Sequence, residues 1–147
     1  MTDAARNMPQ LLGEAKRWFD DALLAGMRAA GEQPVTAAQA AVFASLDPEG
    51  TSISELARRM GVTRQTTHQA VHSLIGMGML DQTADPDSAR SRIVRFTPDG
   101  ARAHERAQIM LAEIEEILAE RIGDQAGRLR DILTRPWGDP PRLTPGS

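Results

Sequence analysis

Apolar side chains recur at helical spacing along most of this chain, and the places where the spacing fails mark its joints. From Met8 the series Met8, Leu11, Leu12, Ala15, Trp18, Phe19, Ala22, Leu23 and Met27 predicts one long amphipathic helix over 8–31. Residues 1–7 are polar and are expected to be disordered. A shorter helix is predicted over 34–47, capped by Thr36, with Phe43 and Leu46 in the core. Beyond Pro98, Ala103, Ala107, Met110, Ile114, Leu118 and Ile122 form a stripe opposite Glu113, Glu116 and Glu120. A last helix over 124–134 offers Leu129, Ile132 and Leu133. The segment 135–147 has four prolines and no helical period, so it reads as a tail. Trp137 within it is a candidate for docking on a partner subunit.

Between these helices, residues 51–100 change rhythm several times. Ser52 and Glu55 have capping-box spacing, which predicts a helix start, with Ile53, Leu56, Ala57 and Met60 on its apolar face and Gly61 at its end. Thr63 caps the next helix two residues later, and helices joined that tightly cross steeply, as in a helix-turn-helix. That second helix, over 64–77, is two-faced. Thr67, Ala70, Val71 and Leu74 form a core side, and Gln65, His68, Gln69 and His72 form a polar side without a carboxylate. Amides and imidazoles can match base edges in a major groove wide enough for a helix. The candidate DNA-binding residues are therefore Thr63, Arg64, Gln65, Thr66, His68, Gln69 and His72. Two extended segments follow, 79–83 and 92–96, joined over 84–91 by an Asp-Pro-Asp turn signal. They predict a β-wing whose Arg90 and Arg92 can reach an adjacent minor groove. Thr97 and Pro98 open the next helix.

The run ELARRMGVTRQTTHQAVHSLIGMGML, followed by DPDSARSRIVRFTPDG, resembles the MarR family of bacterial transcriptional regulators. Arg90, Phe96, Thr97 and Gly100 stand where that family's wing has its arginine, its Leu-Thr pair and a following glycine. Two positions depart from the pattern: Ser88 replaces the usual aspartate of the wing, and Gln69 replaces a common basic residue of the recognition helix. The resemblance implies a mostly α fold with a small β-wing, a winged helix-turn-helix lobe over 34–100 flanked by dimerisation helices over 8–31 and 101–134. It implies a homodimer with its terminal helices interlocked, through Met8, Leu11, Leu12, Ile114, Leu118, Ile122, Leu129 and Leu133. Two recognition helices so related would read a pseudo-palindromic operator with half-sites about 10 bp apart. It further implies a repressor released by a small aromatic or anionic effector, bound near Trp18, Phe19, Met27 and Phe43.

Composition narrows the alternatives. The chain has 147 residues, enough for one real core, and no cysteine, which excludes disulfides and thiol chemistry within it. The absence of a leader-like start or a long apolar run predicts a cytoplasmic protein with no membrane segment. The net charge is −3, and residues 51–100 are the one third with a basic excess, six against five. Such a thin excess predicts modest nonspecific DNA affinity, and it keeps open a winged-helix interaction module that has lost operator binding. His68 and His72 have the i, i+4 spacing of a zinc-hydrolase helix, but Gln69 stands where a general-base glutamate is needed. No metal, cofactor or enzymatic activity is expected.

Overall fold

The computed structural model describes residues 5–146. Its elements run α1 (Met8–Ala29), α2 (Ala37–Ser45), β1 (Thr51–Ser52), α3 (Ile53–Met60), α4 (Arg64–Gly76), β2 (Leu80–Asp85), β3 (Ser88–Phe96), α5 (Pro98–Ile122) and α6 (Gln125–Thr134). The chain forms two units, and the boundary between them falls inside α5, after Leu111.

In the first unit the core gathers one face from each element of the central lobe. Val42 and Leu46 come from α2 and its end, Leu56 from α3, Val71 and Leu74 from α4, Leu80 from β2 and Val94 from β3. Each is a position that the apolar period places inward. Phe43, expected in this core, is only half-buried and packs against it from the side.

Side-chain caps set the helix starts. Thr36 and Gln39 form a full capping box at α2, and Asn7 and Gln10 form another at α1. The disorder expected over residues 1–7 therefore does not extend to Asn7, while residues 1–4 lie outside the described ones. At α3 only half of the expected box forms: Ser52 Oγ accepts from the Glu55 amide at 3.2 Å. The Glu55 carboxylate instead faces Arg58 and Arg59, because charged guanidinium donors one turn away hold it more strongly than a neutral amide. Gly61 ends α3 at φ 66°, the left-handed C-cap that favours glycine.

The sheet has three antiparallel strands in the order β1-β3-β2, not the two expected. Thr51 pairs with Val94 and Ser52 with Ile93, a strand too short to carry any alternation of its own. The wing is also longer than expected. Its strands pair from Leu80↔Phe96 out to Ala84↔Arg92, slip at Ala84/Asp85, and close with Asp85↔Ser88. The turn is thus Pro86–Asp87 alone, with Asp85 Oδ1 accepting from the Asp87 amide at 2.9 Å.

In the second unit α6 buries none of its residues. Glu115 and Arg130 form an ion pair. The Trp137 indole N–H donates to the Ile132 carbonyl at 3.2 Å, satisfying a carbonyl at the end of α6 while the ring stays 63% exposed. The segment 135–146 forms no helix or strand.

Candidate nucleic-acid interface

The candidate recognition surface is built on α4. Thr63 Oγ accepts from the Thr66 amide at 3.1 Å, and its hydroxyl donates to Thr66 Oγ at 2.9 Å, so these two side chains hold the helix start. Thr67 is fully buried and donates its hydroxyl to the Thr63 carbonyl at 3.0 Å. With Ala70, Val71 and Leu74 it fixes the rotation of the helix, since turning α4 would expose all four. Gln65, His68, Gln69 and His72 consequently face solvent, as do Arg64 and Thr66. No acidic residue occurs between Gly61 and Leu80.

The helix that carries α4 is clamped from behind. Arg59 donates to the Ser45 carbonyl at 2.7 Å, to Asp47 Oδ2 at 3.0 Å and to Glu55 Oε1 at 3.0 Å, tying α3 to the end of α2. Hydrogen bonds from Arg58 and then Arg59 pull the Glu55 carboxyl down to about 2, and the Arg59 bond lowers Asp47 as well. Both carboxylates stay ionised at neutral pH, so the clamp remains charged-assisted on each side.

On the wing, Arg90 and Arg92 are exposed on β3. Arg95 is differently used: it donates to the Glu49 carbonyl at 3.1 Å and to Thr83 Oγ at 2.9 Å, strapping β3 to β2 and to the turn before β1. That turn passes beneath it at Gly50, whose φ of 109° and whose closeness to Ile93 and Arg95 leave no space for a β-carbon. The wing tip itself carries Asp85 and Asp87, so the arginines sit behind the tip and not on it.

A cavity of about 140 Å³ opens among α1, α2 and the first part of α5, with an apolar wall that includes Leu23, Met27, Val35, Phe43, Met79 and Leu111. Polar groups at its margin are Arg28, Glu32, Gln33, His104 and Gln108. Met27 and Phe43 are therefore in the wall. Trp18 and Phe19 are not; they pack edge to face against each other, with centroids 5.0 Å apart, one to two turns nearer the start of α1. Helical period places both on the apolar stripe of α1, but a stripe longer than the cavity cannot all line it.

His104 joins this site without having been singled out by the sequence. Its ring stacks on Phe96 with centroids 4.9 Å apart, and Phe96 stacks on Phe43 at 5.6 Å. Burial holds the imidazole pKa below its ordinary value. The signal lay in its position one residue after Ala103 on the α5 stripe, among the few aromatic rings the chain has. Among the described residues no group of three His, Asp or Glu side chains converges as a metal site would require, and His68 and His72 stand on the open face of α4.

A capped helix-turn-helix, a three-stranded wing and long flanking helices define a winged helix-turn-helix protein. Residues 33–91 match the model of the MarR family. The same architecture appears in a MarR-family transcriptional regulator from Rhodococcus sp. RHA1, with 20% identity and a TM-score of 0.72 over 90% of this chain and 94% of that one. It appears in the transcriptional repressor CouR bound to a 23-mer DNA duplex, with 26% identity and a TM-score of 0.73 over 90% and 94%. It also appears in the PcaV regulator of Streptomyces coelicolor in complex with its natural ligand, with 25% identity and a TM-score of 0.61 over 88% and 94%. No curated protein matches the chain. The match to the MarR family covers the winged helix-turn-helix lobe, and the fold as a whole is that of solved MarR-family regulators.

Proposed function

We propose that this protein is a homodimeric repressor that binds a pseudo-palindromic DNA operator and is released from it by a small aromatic or anionic effector. The observation that carries the reading is the face of α4. Its core side is buried, its rotation is fixed, and what it presents outward is Gln65, His68, Gln69 and His72, with no carboxylate on the helix. An ordinary solvated helix face mixes charges of both signs; this one offers donors and acceptors that fit base edges without repelling phosphate. The 13 residues of α4 span about 20 Å, enough to cross a major groove. Thr63, Arg64 and Thr66 at the helix start then meet the backbone, and Arg90 and Arg92 approach the neighbouring minor groove.

Dimerisation is supported by apolar surface that the single chain leaves uncovered. In the first unit Met8 and Leu11 are exposed and Leu12 half-buried. In the second, Ile122, Leu129 and Leu133 are exposed, Leu118 is half-buried, and Ile114 alone is buried. Side chains of this kind on several helices mark an association surface. The effector reading rests on the cavity, apolar in its wall and polar at its margin, with Phe43 and His104 as aromatic walls. For release to occur, the effector must prefer one spacing of the two recognition helices, by a coupling of about 1–3 kcal/mol.

The test is a gel-shift titration with the duplex beside the protein's own coding region, in the presence of excess unrelated duplex. Saturable binding that survives the competitor supports the operator reading. Binding that the competitor abolishes would favour a winged-helix module that recognises some other partner.

A further inference from the structure

We infer that Gln39 is a positioning residue that holds the recognition helix in register with the cavity-lining helix α2. The inference rests on the reading of α4 as the DNA-contacting element. Gln39 is one of the few buried polar residues of the lobe, at 8% exposure, and both ends of its amide are used. Its Oε1 accepts from the Thr36 backbone amide at 2.9 Å, completing the cap of α2. Its Nε2 donates across to Ser73 Oγ on α4, also at 2.9 Å. The orientation of the amide follows from chemistry, because a backbone N–H requires the carbonyl end and leaves the NH₂ for the serine.

The placement of this bond gives it consequence. On α2, Ala40, Phe43 and Ala44 form one face and belong to the cavity wall, while Gln39, Val42 and Leu46 form the other and point to the core. Pro34 and Val35, which lead into the Thr36 cap, also line the cavity. On α4, Ser73 directly follows His72 on the outward-facing side. The packing of Val42 and Leu46 against α4 is non-directional and tolerates a small slide of one helix along the other. A hydrogen bond does not, since its strength falls steeply with distance and angle. Gln39 therefore supplies the directional contact that sets where His72 and its neighbours stand relative to the helix that borders the cavity.

Three variants separate this role from simple capping. Gln39→Met keeps the volume and loses both bonds. Ser73→Ala loses only the bond between helices, at an exposed position where the fold is little affected. Gln39→Glu keeps both, because a carboxylate accepts from the Thr36 amide and from a rotated Ser73 hydroxyl. Operator affinity should fall about three- to tenfold in Ser73→Ala and in Gln39→Met, fall no further in the double variant, and be retained in Gln39→Glu. The slope of log affinity against log salt should be unchanged in all of them, because no phosphate contact is lost.

A slope smaller by about one in Ser73→Ala would instead make the serine a phosphate ligand and overturn the inference. So would an affinity equal to that of the unmodified protein. Amide hydrogen exchange on the free protein gives a reading independent of DNA. Ser73→Ala should speed exchange at the C-terminal half of α4 and leave α3 unchanged; uniform protection would contradict the link even if the unmodified chain bound no operator. Failure of the unmodified chain to bind any duplex, with the α4 effect present, would sink the functional reading and leave the positioning role standing.

Discussion

Gly100 and Met79 are in direct backbone apposition: a β-carbon on Gly100 would lie 1.9 Å from the Met79 carbonyl oxygen and 2.8 Å from its carbonyl carbon. The same oxygen accepts from the Thr97 amide at 3.1 Å, and the Thr97 hydroxyl donates to the Gly78 carbonyl at 2.6 Å. The start of α5 is thereby bonded to the turn that leads into β2. The first turn of α5 has no room for a side chain at Gly100. Gly100→Ala should destabilise the protein by about 1–3 kcal/mol or more, because the atoms that must give are backbone and not a flexible side chain. Denaturant unfolding checks this. An unchanged midpoint and slope would mean that α5 does not seat against Met79.

A second prediction concerns acid. Burial lowers the pKa of His104 below its ordinary 6.5, so the unfolded chain takes up this proton more readily than the folded one. The stability that this group confers is complete above about pH 6.5 and is lost as pH falls below it, through the lowered folded value. The charged groups beside it at the cavity margin are Arg28 and Glu32, with Arg106 paired to Glu32. His104→Phe keeps an aromatic ring against Phe96 and removes the proton site. Its stability should fall less steeply than that of the unmodified protein as pH drops from about 6.5. Parallel pH profiles by thermal unfolding would assign the acid sensitivity elsewhere.

The wing arginine can be tested through salt. Arg90→Ala should weaken binding to every duplex alike and lower the salt slope by about one unit, the signature of a lost phosphate or narrow-groove contact. Arg95→Ala should behave differently: its guanidinium straps the wing to Glu49 and Thr83, so its loss should loosen the wing as well as weaken binding. If the slope is unaffected by Arg90→Ala in anisotropy titrations, the wing lies off the DNA.

Assembly has its own test. Leu129 and Leu133 are exposed on α6, which buries none of its residues. Replacing both with glutamate should leave each chain folded but yield a monomer by sedimentation, since two charges would have to be buried in the dimer contact. The monomer should bind a half-site and an intact site with similar affinity. A double variant that still sediments as a dimer would move the association surface away from α6.

Much of this was legible from local chemistry. Thr36, Ser52, Thr63 and Thr97 each sit at a cap because their hydroxyls satisfy amides that no helix can satisfy itself, and such signals need only the neighbouring residues. The two faces of α4 followed from a period of 3.6 alone. What escaped depends on partners distant in sequence or on elements too short to have a period. Thr51–Ser52 becomes a strand only because β3 lies beside it, and Ser88–Ser91 extends the wing because Pro86–Asp87 turns tightly enough to bring polar segments together. His104 finds Phe96 and Gln39 finds Ser73 across separations that no pattern along the chain encodes. The same limit placed Trp18 and Phe19 at a cavity that begins further along their helix.

In the proposed operator complex the outward face of α4 lies in a major groove twice over. Footprinting of the operator complex, by dimethyl sulfate protection of guanine N7, reads that groove directly. Two protected patches on one face of the duplex, centred about one helical turn or 10 bp apart, are the result that placement requires. They should weaken selectively at one base position per half-site when Gln69 is replaced by alanine. Protection confined to one patch, or a specific complex with no major-groove protection, would contradict it.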